Sequence, residues 1–161
     1  MANIKRICLW SGPRNISTTL MYSFAQREDT KVYDEPLYAH YLSNSNANEY
    51  HPGAQDILDS LEHNGEKVIA KMMTNQERPI LFYKNMTHHL LDLNLDFMKD
   101  VYNVILTRDP VEMLPSFDKV ITNPSIHDVG YAKHSELLDY FESHNIKPIV
   151  LDSKRILLNP K

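Results

Sequence analysis

The segment LWSGPRNISTTLMYSF, residues 9–24, breaks an apolar run at Gly12-Pro13 and then presents three consecutive hydroxyl residues, Ser17, Thr18 and Thr19, where a helical pattern begins. A tight turn between a strand and a helix aims backbone N–H groups and a helix N-terminus at one point, which suits an oxyanion such as phosphate or sulfate. Arg14, inside the turn, adds a planar cation matched to oxygen anions. Laid over the phosphate loop G-x-x-x-x-G-K-[ST] from Gly12, the turn has Ser17 at the second glycine and Thr18 at the lysine. Without that lysine, triphosphate chemistry is disfavoured. On the turn alone, a Ser/Thr-capped helix beside a solvated Arg14 fits equally well.

A second segment adds to this reading. In TRDPVEMLPSF, residues 107–117, Arg108 leaves the most apolar strand of the sequence at the end where parallel sheets bind ligands, and Ser116 follows eight residues later. Two further groups belong to the same edge. Glu35, with Asp34 beside it, follows the short run TKVY, and Lys84 closes RPILFYK. Lys84 opens KNMTHH, whose His88-His89 pair has no carboxylate-His spacing to support a metal site.

These residues need a frame, and the hydrophobic pattern supplies one. Short apolar runs predict strands near 4–10, 30–34, 79–84, 101–107 and 146–152. Helical spacing predicts helices over 17–26, near 55–63, over 66–73 and over 131–145. A further helix after Pro110 should hold Glu112, Met113, Ser116, Phe117 and Val120, with Pro115 kinking or restarting it. YLSNSNANEYHPG, residues 41–53, is polar and turn-rich and reads as a mobile loop. Strands alternating with helices, without hairpin signals, predict a three-layer α/β fold with a parallel sheet covered on both faces.

The chain has 161 residues, 42% of them apolar, which fits one domain with a real core. Its 17 basic and 21 acidic residues give a formal charge of -4, which argues against nucleic acid as a partner and makes any anion site local. The single Cys8 lies inside an apolar run and reads as a buried, inert thiol. Lys5-Arg6 precedes only four apolar residues before Ser-Gly-Pro, so we read a cytoplasmic protein with no leader and no membrane segment.

The spacing R-D-P-x-E-x-x-x-S at Arg108 to Ser116 resembles the segment with which sulfotransferases grip the 3′-phosphate of 3′-phosphoadenosine 5′-phosphosulfate (PAPS). In that family a first turn, commonly P-K/R-S-G-T-T, holds the 5′-phosphosulfate, and this chain offers PRNISTTLM, one residue longer. The closing PIVLDSKRILLNP is similar to the family's last core strand and helix entry. The chain thus resembles PAPS-dependent sulfotransferases of the P-loop-type fold, in their divergent bacterial and branched-chain aminotransferase-like branch. The resemblance implies strand order 2-3-1-4-5, PAPS as donor without a metal, and donor contacts from Arg14, Asn15, Ser17, Thr18, Thr19, Arg108 and Ser116. It also leads us to expect one domain over 1–161 that lacks the family's C-terminal segment.

For catalysis, related enzymes use a Glu at the position of Glu35, which becomes the first candidate for the base that takes the acceptor's proton. Asp34, His40, His88 and His89 are rivals. Lys84 matches a catalytic lysine of cytosolic sulfotransferases, although Met86 stands where their histidine falls. The acceptor is not legible, though Tyr33, Tyr38 and Tyr41 are candidates to line its pocket. Two other readings share this frame: a nucleotide- or anion-binding module without turnover, and a P-loop small-molecule kinase.

Overall fold

The computed structural model describes residues 4–51, 53–119 and 129–160. The chain alternates β1 (Lys5–Ser11), α1 (Ser17–Ala25), β2 (Thr30–Asp34), α2 (Tyr38–Ser43), α3 (Ala54–Ser60), α4 (Gly65–Thr74), β3 (Ile80–Met86), β4 (Tyr102–Thr107), α5 (Pro110–Phe117), α6 (Tyr131–Ser143), β5 (Ile149–Asp152) and α7 (Ser153–Leu158). Short 3-10 turns cover Asn46–Glu49, Thr87–His89 and Asp96–Asp100. The five strands form one parallel sheet in the order β2-β3-β1-β4-β5, as expected.

Alternation along β1 shows why the sheet is covered on both faces. Cys8 and Trp10 point to one side, where they pack with Val68, Ile69 and Met72 of α4 and Leu137 and Phe141 of α6. Leu9 points to the other, against Met21 of α1, Phe82, Val104 and Leu106. Each face therefore buries its own apolar set, which a half-exposed sheet could not do. Trp10 is fully buried, and its indole N–H donates to Asn103 Oδ1 at 3.0 Å, so no polar atom of the ring is stranded. Cys8 is also fully buried, and burial pushes its thiol up to about 12, which makes it inert.

Three expectations change. The polar insert is not an open loop: α2, the 3-10 turn at Asn46–Glu49 and α3 fold together by burying Tyr41, Leu42, Ala47 and Ala54 against one another. Pro115 does not break α5, which runs through to Phe117. Asp109 caps this helix by accepting from the Val111 N–H at 2.9 Å, Pro110 occupies its first turn, and the Asp118 N–H still reaches Leu114 O at 3.0 Å. In a helix of only two turns the proline forfeits a single bond. The fifth strand starts at Ile149 and not near 146, because Pro148 has no N–H to give the ladder. Val120 and Pro52 lie outside the described residues.

Candidate active site

The turn from β1 into α1 is held in a costly backbone form. Arg14 and Ile16 both have left-handed φ angles, 58° and 60°. Ile16 stands at the N-cap of α1 and offers no side-chain acceptor, so the N–H groups of Ser17, Thr18 and Thr19 open the helix without a side-chain cap. The capped-helix reading of this turn therefore does not hold. Gly12 is required by close approach: a Cβ there would meet Val129 O at 2.8 Å.

The two segments read as anion anchors, about a hundred residues apart in the chain, meet because β1 and β4 are neighbours. Arg14 Nε donates to Ser116 Oγ at 2.9 Å, and Arg108 Nη1 donates to Arg14 O at 3.0 Å. Tyr131 Oη donates to Arg108 O at 2.6 Å, which ties the start of α6 to the same corner. Arg108 Nε is buried and has no partner among the described residues. Asn15 behaves differently from its neighbours. The residue is 1% exposed, and its Nδ2 donates to Leu106 O at 3.1 Å, into the fold.

Glu35 and Lys84 sit on the adjoining strands. Lys84, 4% exposed, donates to Asp34 Oδ1 and Glu35 Oε1, both at 2.7 Å. Burial by itself draws the Lys84 ammonium down, but the Glu35 and Asp34 carboxylates outweigh it and hold the group above its ordinary value. The lysine is thus a fixed positive charge. Asp34 is half exposed, whereas Glu35 is mostly enclosed and has φ 46°, another left-handed residue without the glycine that conformation prefers. The Glu35 N–H extends the ladder by donating to Lys84 O at 2.8 Å. Glu35 does not cap α2, which starts without a side-chain cap.

The seven residues expected to contact the donor, Arg14, Asn15, Ser17, Thr18, Thr19, Arg108 and Ser116, line one cavity of about 420 Å³ at the C-terminal edge of the sheet, together with Glu35 and Lys84. A second chamber of about 280 Å³ adjoins it and shares Pro13, Glu35, Met86 and Phe117. Its other described walls are Tyr38, Tyr41, His51, His88 and His89. Tyr33 is not among them; it stacks on Tyr83 at 4.9 Å and faces a separate hollow beside α4.

The histidines separate by environment. His40 is buried and its Nε2 pairs with Leu91 O at 2.8 Å, a structural role. His89 lies between the rings of Tyr38 and Tyr41, at 5.1 and 4.8 Å, and burial together with His88 and His51 holds it well below its ordinary value. His51 escaped sequence reading. It pairs through Nδ1 with Tyr38 Oη at 2.7 Å, and only its place in the polar insert between tyrosines hinted at a site. Among the described residues no group of three or more His, Cys, Asp or Glu is arranged to hold a metal ion, and no helix is long and apolar enough to cross a membrane.

Two Arabidopsis thaliana proteins, branched-chain-amino-acid aminotransferase-like proteins 2 and 1, are each 34% identical to this chain over 94% and 100% of its length. The chain spans 27% and 29% of theirs. Among solved structures, shikimate kinase from Bacteroides thetaiotaomicron is similar with a TM-score of 0.53 and 12% identity, covering 92% of this chain and 86% of the kinase. That likeness shows a shared P-loop kinase-like fold. A family model described as a sulfotransferase domain matches residues 5–158, and on that match the chain belongs to the sulfotransferase-domain family.

Proposed function

We propose that this domain is a PAPS-dependent sulfotransferase that transfers a sulfuryl group to a hydroxyl, or an amine, of an acceptor held beside Glu35. The observation that carries this reading is the junction of the two segments read as anion anchors: Arg14, Ser116 and Arg108 meet on a cavity that Lys84 and Glu35 also line. One cation centre would serve a single phosphate. Two on one cavity, Arg108 with Ser116 and Arg14 with the α1 N-terminus, suit a nucleotide with anions on both its 3′ and 5′ positions.

The residues fit such a donor. Arg108 has a buried Nε without a partner among the described residues, and α1 opens uncapped toward the cavity. Arg108 and Ser116 would hold the 3′-phosphate, and Arg14 with the α1 N-terminus, Ser17, Thr18 and Thr19 would hold the 5′-phosphosulfate. When bound, PAPS supplies an activated sulfuryl group on a nucleotide leaving group. Glu35 stands where cavity and chamber join, and there it would take the proton of the acceptor hydroxyl. Lys84, charged and fixed by two carboxylates, would offset negative charge that develops beside it. The ring-lined chamber would orient the acceptor against Glu35.

A module that binds without turnover is less well supported, since Glu35 and Lys84 lie on the same cavity as both anchors. A kinase lacks the phosphate-loop lysine, where Thr18 stands. The test is calorimetric titration with 3′-phosphoadenosine 5′-phosphate, AMP and ATP, without magnesium. The 3′-phosphorylated nucleotide should bind most tightly. Equal affinity for it and for AMP would sink the proposal.

A further inference from the structure

Asn15 occupies an odd position. It lies between Arg14 and Ile16, two residues other than glycine with φ near +60°, and Ile16 is branched at Cβ, which makes that conformation a genuine outlier. Such a backbone persists only where its surroundings over-determine it. The Asn15 amide does not repay its burial in full: Nδ2 donates to Leu106 O, while Oδ1 is buried with no partner among the described residues. A half-satisfied amide beside a strained turn is a poor arrangement for stability and a good one for holding a shape.

Three contacts join the turn to β4 and the segment after it: Asn15 to Leu106 O, Arg108 to Arg14 O, and Arg14 to Ser116 Oγ. The second and third are exposed and made by side chains that line the cavity. An anion that engages Arg14, Arg108 or Ser116 competes for those same donors. The first is buried: although Asn15 also lines the cavity, its Nδ2 is committed to Leu106 O and is not one of those donors.

We propose that Asn15 is a positioning residue. Its amide pins the strained turn to the end of β4 and so sets the distance between the two anion anchors, with or without a ligand. This rests on the two-anion reading above.

The test is a double-mutant cycle of Asn15→Ala and Ile16→Gly, read as the affinity ratio of 3′-phosphoadenosine 5′-phosphate to AMP. Hydrogen exchange at residues 14–18 of the ligand-free protein is measured alongside. Asn15→Ala should cut the ratio by about tenfold, the worth of one hydrogen bond. It should also speed exchange in the turn while β1 and β4 amides stay as slow as in the wild type. Ile16→Gly should restore most of the ratio to the Asn15 variant, because glycine adopts the left-handed form without penalty. If Asn15→Ala does not fold, Asn15→Leu keeps the shape, removes the donor and carries the same expectation. An unchanged ratio with unchanged exchange overturns the inference, and so does a lost ratio that Ile16→Gly leaves lost. If the wild type itself does not prefer the 3′-phosphorylated nucleotide, the functional reading fails. The exchange measurement then decides the clasp alone, and unchanged exchange overturns it.

Discussion

Arg108→Ala is the substitution that most directly probes the second anchor. In the structure the guanidinium gives one N–H to Arg14 O at 3.0 Å and keeps a buried Nε without a partner among the described residues. A 3′-phosphate at this corner would gain a charge-assisted hydrogen bond, worth about 1.5–3 kcal/mol, so its loss should weaken the 3′-phosphorylated nucleotide roughly 10- to 150-fold. AMP has no phosphate to place there. Its affinity should fall by less than about threefold, the cost of one exposed tie between Arg108 and the turn, because the buried Asn15 bond still holds the turn to β4. Isothermal titration of both nucleotides against both proteins gives the four numbers. If the two affinities fall by the same factor, Arg108 supports the turn in general and the assignment of the 3′-phosphate to it is wrong.

Two further expectations concern the base and the acid stability of the fold. Glu35→Gln should lower transfer to any acceptor the wild type uses by about 10²–10⁴, the worth of a general base, while nucleotide affinity changes little; full activity in the variant would move the role to Asp34 or a histidine. His134 is 5% exposed, has both ring nitrogens unpartnered among the described residues, and is held by burial down to about 4 from 6.5. It is neutral in the fold, so its contribution is intact above about pH 6.5 and is lost as pH falls toward 4, where the unfolded chain gains the proton first. The gap is worth about 3 kcal/mol. His134→Leu should therefore flatten the loss of unfolding free energy over that range by about this amount, measured by denaturant titration at a series of pH values. Identical slopes in variant and wild type would show that His134 does not set the acid response.

The sheet was readable from the chain because parallel strands are buried on both faces and write themselves as uninterrupted apolar runs, of which VYNVILT is the clearest. Both segments proposed as anion anchors were legible for a related reason: each joins a strand to the helix after it, with Arg14, Ser17, Thr18 and Thr19 close together in the first and Arg108 and Ser116 in the second. Glu35 and Lys84 could be placed on the same edge, since both stand at or near strand ends. Their ion pair could not be foreseen, because it depends on the register in which Asp34 lies opposite Lys84.

What escaped the sequence depends on contacts between distant segments. The polar insert reads as loop residue by residue, and becomes helical only because Tyr41, Leu42, Ala47 and Ala54 find one another. His51 reaches the chamber through that packing, and Tyr33, three residues before Pro36 and equally aromatic, is carried to another hollow by the alternation of β2. Asn15 reads as one more donor contact in a polar turn, and only the fold shows its Nδ2 turned to Leu106 O. Whether an amide faces a ligand or the core is set by the φ angles on either side of it and by the strand that passes behind, and neither is encoded in the residue's own type. Local pattern is enough to specify elements and their ends, since those depend on backbone propensity and burial period. The direction of a side chain in a strained turn is a property of the assembled sheet.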